Sequence, residues 1–507
     1  MSSRKPSLLL ALSVLTAVVS LIFASVRIWE TDIQIILILG AILGATIAVF
    51  VLKMDYKFIE KSVINGIMTG MQSCLILYTV GILIGVWILS GVVPSMIYYG
   101  FMILSPSIFL FATLIICTIS SLATGSSWGT SGTIGIALMG IASGLGIPAP
   151  VTAGIIISGG YCGDKLSPLS DTTNLAPAVA GADLFEHIKA MFYTTIPTYI
   201  IVAIITLVLG LKYGSGTIDM SKIEAMQMLM DKEFNISFIT LLAPLSVLFL
   251  SAIKKPALPS LWVGIFVAVV IAFFNGTGIK EILGIMQNGY VPQLCAEIAK
   301  VADKAPELTA TIAKYNLPIS PESLSYASKS LVKLMERGGL QSMNWTVTLI
   351  LAAFVFSAVM ESCGYFEVIL KSAVAKVKST VGLITITLTS GVLCNIFFAD
   401  QYLSIALAGR MYKQSFDDLG LHPRMLSRSL EDSATLTSAL VPWNTCGAYQ
   451  AGVLGVATFE YLPYAFFNYL NVFVAIIVTY FGFGIFWKGK NGESVRGGKS
   501  RPKELEN

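Results

Sequence analysis

Between Gly160 and Asn174 the chain runs Gly160-Tyr161-Cys162-Gly163-Asp164-Lys165-Leu166-Ser167-Pro168-Leu169-Ser170-Asp171-Thr172-Thr173-Asn174, which sets acids, a base, hydroxyls and an amide into otherwise apolar text. A charged side chain at membrane depth costs at least ~2.5 kcal/mol even on lenient insertion scales, so such residues point to function by default. Asp164 and Lys165 are adjacent, and on a helix their side chains diverge by roughly 100°, so each must find its own partner. Asp171 then has two options, pairing with Lys165 or binding a cation. Sodium needs several hard oxygen donors, and Asp171, Thr172 and Asn174, with Ser170, Thr173 and local carbonyls, offer such a set. A carboxylate in low dielectric also binds protons more readily, so Na⁺ arrival can release H⁺ from the same group. Asp164 with Lys165 can alternatively be a buried structural pair.

Upstream, Ala123-Thr124-Gly125-Ser126-Ser127-Trp128-Gly129-Thr130-Ser131-Gly132 recurs in glycine and hydroxyl. Small residues let helices pack closely, but the hydroxyls of Thr124, Ser126, Ser127, Thr130 and Ser131 together also fit a re-entrant hairpin whose tip ligates an ion. In the second half the candidates are Asp400, Asp432 and Asn444, with Arg410 and Arg428 near enough in sequence to make structural pairs with those acids instead. Glu361, His187 and His422 read as ordinary interfacial residues.

Positioning these groups requires a membrane scaffold. The 507 residues are 55% hydrophobic and 12% charged, about half the ~25% charged share of soluble proteins. Apolar runs long enough to cross ~30 Å of hydrocarbon lie near 7–29, 33–52, 64–91, 95–123, 188–211, 235–252, 257–275, 344–364, 380–398 and 463–487. Regions 126–180 and 399–459 are apolar but broken by Gly, Pro, hydroxyls and charge, as irregular backbone at membrane depth must be where it lines protein or a wet cavity. The fold class is therefore an all-α polytopic membrane protein, an inverted-repeat secondary transporter with re-entrant hairpins and broken helices.

Juxtamembrane bases (Lys53, Lys57, Lys61; Lys254, Lys255; Lys371, Lys376, Lys378; Lys488 to Lys503) belong in the cytoplasm by the positive-inside rule, so both termini are cytoplasmic and the halves run oppositely. Gly135–Gly140 echoes Ser404–Gly409, and Asn174 and Asn444 follow each at a similar distance. The expected organisation is N-terminal transmembrane helices at 1–63, a first inverted repeat at 64–211, connecting helices and a hydrophilic linker at 212–343, a second repeat at 344–487, and a disordered tail at 488–507.

Other classes find no support. The net charge of +4 resides in loops and implies no nucleic-acid partner. Seven cysteines without CxxC spacing read as packing residues. The lack of a phosphate loop, a Ser/His/Asp set or an HExxH motif argues against an ATPase or another enzyme.

The quoted motifs, together with Arg337-Gly338-Gly339-Leu340, Pro442-Trp443-Asn444-Thr445-Cys446-Gly447 and Tyr461-Leu462-Pro463-Tyr464-Ala465-Phe466-Phe467-Asn468, resemble the NhaC family of bacterial sodium/proton antiporters within the ion transporter superfamily. Leu340 stands where that pattern has Met. The resemblance spans about 64–475 and implies a multi-pass protein of the bacterial cytoplasmic membrane, surrounded by lipid, that forms a homodimer. It implies transported Na⁺ and H⁺ and no cofactor. Because the family is also associated with Na⁺-linked malate and lactate exchange, a small carboxylate remains an alternative cargo.

Overall fold

The computed structural model describes residues 5–103, 105–214, 220–375 and 377–505, so Lys376 of the basic clusters lies outside the described residues. Among these, seven helices are long and apolar enough to cross a membrane, and up to nine if each of two bent pairs counts as one span. The chain is a multi-pass membrane protein. Leu8–Ala24, Ile33–Phe50 and the 34-residue helix Tyr56–Leu89 come first. The apolar run at 95–123 is not one span: Val92–Ile103 ends before Ser105, which is extended (φ −83°, ψ 145°), and a new helix starts at Pro106. Proline suits a first turn, where its missing N–H costs nothing, and it pushes the preceding residue out of helical conformation. The run at 235–252 likewise belongs to a pair, Met220–Glu233 and Phe238–Ala252, bent by 87°.

The core of the fold is one plan used twice. It begins with α1 (Pro106–Thr124), α2 (127–144), α3 (Ala149–Leu166), α4 (Asp171–Ala180) and α5 (Leu184–Gly214). It returns as α6 (Thr380–Phe397), α7 (Gln401–Asp418), α8 (423–440), α9 (Thr445–Leu454) and α10 (Phe466–Tyr480). Helices α2, α3 and α4 start at 127, 149 and 171, and their counterparts α7, α8 and α9 start at 401, 423 and 445, each 274 residues later. The caps keep that register. Ser105 and Ser379 precede the first arms, Ser126 and Asp400 the second, Ser170 and Asn444 the short helices, and left-handed Gly181 and Gly455 end those short helices. The echo between Gly135–Gly140 and Ser404–Gly409 is therefore out of register by five residues, since Gly135 corresponds to Gly409.

In each copy two arms form a hairpin (α1 and α2; α6 and α7), followed by a helix interrupted near its middle (α3 and α4; α8 and α9). Glycine permits the close approach: a Cβ on Gly125, which has φ +68°, would meet Leu169 C at 2.6 Å, and one on Gly163 would meet Thr118 O at 2.2 Å. Hence the first hairpin's tip abuts the first break. Within the two copies, two helical stretches widen by about one residue per turn, Ser131–Gly135 in α2 and Glu431–Thr435 in α8, and such bulges are frequent at functional sites.

Of two flanking regions, one fills in the expected linker and the other departs from expectation. The hydrophilic stretch after 276 is a set of four amphipathic helices, Ile279–Asn288, Gln293–Val301, Ala305–Tyr315 and Pro321–Met335. They bury Ile282, Cys295, Ile298, Leu324, Leu331 and Met335. The tail expected to be disordered from 488 onward instead supplies β2 (Ser494–Gly497), paired antiparallel with β1 (Ile485–Lys488), and β1 takes the end of the apolar run at 463–487, whose helix stops at Tyr480. Composition predicted a solvated end, but Asn491-Gly492 supplies a turn, with Gly492 at φ +85°, and Ile485, Phe486 and Trp487 are buried. The strand docks on the link before α8, where His422 N donates to Phe486 O (3.0 Å) and Lys488 N to Gly420 O (2.9 Å).

Candidate ion-binding site

Each hairpin tip meets a break, making two related cradles. In the first, the Ser126 side chain caps α2 by accepting from Gly129 N (3.0 Å), and Ser127 donates both N–H (3.0 Å) and Oγ–H (2.7 Å) to Asp164 Oδ2 at the end of α3. Ser167 Oγ donates to Leu122 O (2.8 Å) across the same gap. Ser170 caps α4, and Thr173 Oγ1 donates to Asp164 O (3.2 Å) and Lys165 O (3.1 Å), stitching the two half-helices together. The break is thus held by side-chain bonds that replace the missing helix ladder.

The proposed sodium ligands diverge here. Asn174 Nδ2 donates to Pro168 O (3.0 Å) and Ser170 O (2.6 Å), while Thr172 Oγ1 donates to Glu431 Oε1 of α8 (3.0 Å). Asp171 occupies the first turn of α4, where the helix end favours negative charge; its side chain is exposed. Asp171, Asp164 and Asp400 all lie within electrostatic reach of the Tyr402 phenol, which is itself 41% exposed. Of the tip hydroxyls, Thr124 bonds back to Ser120 O (2.9 Å), Thr130 pairs with Ser120 Oγ (3.3 Å), and Ser131 Oγ is buried without a partner. Of these five, Ser127 bonds across to the break, while Ser126 caps its own helix.

The second cradle uses the same positions with different residues. Asp400 caps α7, its Oδ1 accepting from Tyr402 N (2.7 Å) and its Oδ2 from Thr445 Oγ1 (3.0 Å). Thr445 N donates to Ala399 O (2.7 Å), and Asn444 caps α9 by accepting from Cys446 N (3.1 Å) while donating to Phe398 O (3.2 Å). Trp128 of the first tip stacks on Tyr449 of α9 (4.1 Å, 12°), and Tyr449 OH donates to Trp128 O (2.8 Å). The two cradles are therefore in direct contact.

Between them lies a buried ion pair that sequence adjacency could not reveal. Lys165 Nζ pairs with Asp432 Oδ1, both fully buried. This answers the question left open for Lys165, whose partner is Asp432 and not Asp171. Asp432 Oδ1 also accepts from Thr194 Oγ1 (2.9 Å) and Asn471 Nδ2 (2.8 Å). Arg428 Nε lies 3.7 Å from Asp432 Oδ2, one helical turn away, and its Nη1 donates to Gly484 O (2.7 Å). Arg410 does not engage the acids of α8; its Nε donates to Ala406 O (3.3 Å) in its own helix. His187, expected at an interface, is fully buried with Nδ1 2.9 Å from Ser427 Oγ. His422 caps α8 and lies 3.5 Å from Glu186. Glu361 is exposed at the end of Asn344–Ser362 and shares with Arg410 and Phe398 a cavity of about 380 Å³.

A hairpin-and-broken-helix pair, repeated and rich in carboxylate, is an ion-site architecture, and the comparison with known sequences is specific. The Na⁺/H⁺ antiporter family matches residues 3–173 and 161–483. The chain belongs to the Na⁺/H⁺ antiporter family. It is 37% identical over 489 residues to the malate-2H⁺/Na⁺-lactate antiporter of Bacillus subtilis (strain 168), covering 96% of this chain and 97% of the relative. It is 35% identical over 484 residues to the Na⁺/H⁺ antiporter NhaC of Alkalihalophilus pseudofirmus, covering 95% and 97%. A third relative, the arginine/ornithine antiporter ArcD of Halobacterium salinarum, is 31% identical over 96% of this chain and 94% of its own length.

In this member of the Na⁺/H⁺ antiporter family, four residues escaped the sequence reading. Glu431 is fully buried beside Asp432, and Thr194 and Asn471 complete the Asp432 site. Tyr402 gives its backbone N–H to Asp400, and its phenol is within electrostatic reach of Asp171, Asp400 and Asp164. A signal existed for Asn471, one of two amides, with Asn468, in the otherwise apolar α10, and for Glu431, an acid beside an already selected one.

Proposed function

We propose that the chain is a secondary active transporter exchanging Na⁺ for H⁺ across the bacterial cytoplasmic membrane, with no resident cofactor. The observation that carries this reading is charge imbalance at the crossing of the breaks. Four buried carboxylates, Asp164, Asp400, Glu431 and Asp432, face two buried cations, Lys165 and Arg428; buried Arg424 sits apart at the first turn of α8, over the Phe486 ring. Unpaired charge at this depth costs several kcal/mol, so the excess acids need protons or metal cations. On this reading Asp171, at the mouth of the first cradle, admits Na⁺, with Ser170, Thr172, Thr173 and Asn174 forming its oxygen-rich surroundings after local rearrangement. Asp164 ties the first break to its hairpin tip, Lys165 holds that cradle to α8, and Asp400, Asp432 and Asn444 organise its counterpart.

The repeats at 64–211 and 344–487 would form the transport unit in opposite membrane orientations, flanked by 1–63 and 212–343. Both termini would be cytoplasmic and the protein a homodimer, as in the expectation from lysine placement and resemblance. A second reading, an organic anion as counter-cargo, is supported by the 37% identity to a relative named a malate-2H⁺/Na⁺-lactate antiporter; the cavity at Arg410 adds nothing to it, since Glu361 and Glu367 also line that cavity. Proteoliposomes decide between them. A Na⁺ gradient alone should change lumenal pH; a pH change only after malate, lactate or a similar acid is added would promote the second reading.

A further inference from the structure

Between Lys488 and Lys503 six bases, Lys488, Lys490, Arg496, Lys499, Arg501 and Lys503, stand against one acid, Glu493. All six are exposed, and none makes an ion pair among the described residues. Glu493 serves the hairpin's own turn, its Oε2 accepting from Asn491 N (2.9 Å). Such a composition commonly belongs to a loose, solvated tail. Here the fold fixes it.

Three contacts set where the bases sit. Lys499 Nζ lies over the Tyr480 ring (4.7 Å), Arg496 lies over the Tyr193 ring of α5 (5.2 Å), and a Cβ on Gly420 would meet the guanidinium carbon of Arg501 at 3.3 Å. Tyr480 ends α10, which with the short turn before it makes one of the bent candidate spans. Tyr480, Phe481 and Phe483 are all exposed, and aromatic rings gather where a spanning helix leaves the hydrocarbon. The bases are thus carried beside rings that suit the membrane interface.

We propose that this basic face binds the anionic phospholipid headgroups of the leaflet in which α10 ends. The proposal goes beyond the transport reading and requires no particular cargo. Juxtamembrane clusters of roughly four to eight bases attract anionic lipid, and a soluble anion would satisfy the charges while leaving the three rings in water. Lipid bound here also reaches the transport core. Strand β1 joins the link before α8 through His422 N to Phe486 O and Lys488 N to Gly420 O, Arg424 lies over the Phe486 ring (3.5 Å), and Arg428, beside Asp432, donates to Gly484 O (2.7 Å). Headgroups that pin the hairpin therefore steady the first turns of α8.

The test titrates the detergent-purified full chain with phosphatidylglycerol, phosphatidylcholine or glycerol phosphate and counts bound molecules by native mass spectrometry. Wild type should hold phosphatidylglycerol at least about tenfold more tightly than phosphatidylcholine, and the variant Lys499→Gln/Arg501→Gln/Lys503→Gln should lose that preference, since each base near an anionic surface is worth roughly fivefold. Equal affinity of wild type for the two lipids, or an undiminished preference in the variant, would overturn the proposal. So would glycerol phosphate binding as tightly as the lipid, because the occupant would then be a soluble anion. Should the variant not fold, hydrogen–deuterium exchange of wild type in nanodiscs decides. With phosphatidylglycerol added to phosphatidylcholine, exchange over 420–422 and 485–488 should slow severalfold as local opening is suppressed; identical exchange in the two lipid mixtures would overturn the proposal. Neither measurement uses a Na⁺ gradient, so a negative result leaves the antiport reading standing.

Discussion

The two cradles place a carboxylate and a hydroxyl at the same pair of positions and exchange them. At the first, the tip cap is Ser126 and the opening residue of the short helix is Asp171; at the second, they are Asp400 and Thr445. The consequence is a difference in freedom. Asp400 spends both oxygens, on Tyr402 N and on Thr445 Oγ1, and is 7% exposed. Asp171 makes no such bond and is exposed. One scaffold thus yields a braced acid and an open one, and on the proposed reading only the open acid exchanges ions. On that reading the repeated plan supplies the geometry, and placement of one carboxylate decides which copy works.

The comparison can be broken most completely by accessibility. Single cysteines placed in 126–146 and in 399–430 should react with an impermeant reagent from opposite sides of the membrane, as inverted repeats require. The seven native cysteines are all buried and should stay silent. Labelling of both regions from one side would leave a repeat that is not inverted.

Next in size is the shared element between the cradles. Lys165→Met leaves Asp432 buried beside only Arg428, and breaking such a pair costs about 3–5 kcal/mol. A large drop in thermal stability in detergent is expected, and an unchanged melting temperature would deny the pair its bracing role.

A smaller effect separates the cradles directly. Thr445→Val removes one of the two hydrogen bonds that hold Asp400, worth about 1.5–3 kcal/mol for a charged acceptor, whereas Asp171→Asn removes none and should shift stability by less than about 0.5 kcal/mol, as expected at an exposed site. Parallel thermal denaturation checks both. Equal losses would show that the two acids are held alike.

Much of this was legible because membrane burial makes polar residues conspicuous. Asp164, Asp171, Asp400, Asp432 and the Ser126-Ser127 tip stand out by residue type alone, and Gly125 and Pro168 mark where helices stop. The repeat register was not legible from apolar text, since many alignments of Leu, Ile, Ala and Gly score alike. It is written in the caps, where Ser126 answers to Asp400 and Ser170 to Asn444. Lys165 and Asp432 are 267 residues apart, so only the fold could pair them. Glu431 was hidden for a related reason, because Asp432 beside it already supplied an acid on that turn, and only the fold shows that Lys165 and Arg428 both sit at Asp432. Composition also hid the tail, whose Ile-Phe-Trp strand needed the Gly420–His422 backbone to dock on.

The most direct test of the account compares Asp171→Asn with Asp400→Asn in proteoliposomes, following lumenal pH under the same imposed Na⁺ gradient without organic solute. Both changes remove one charge and keep side-chain size. The account predicts that Asp171→Asn abolishes Na⁺-driven proton movement while Asp400→Asn retains it at a reduced rate. Normal flux through Asp171→Asn, with loss in Asp400→Asn, would contradict it and move the working site to the second cradle.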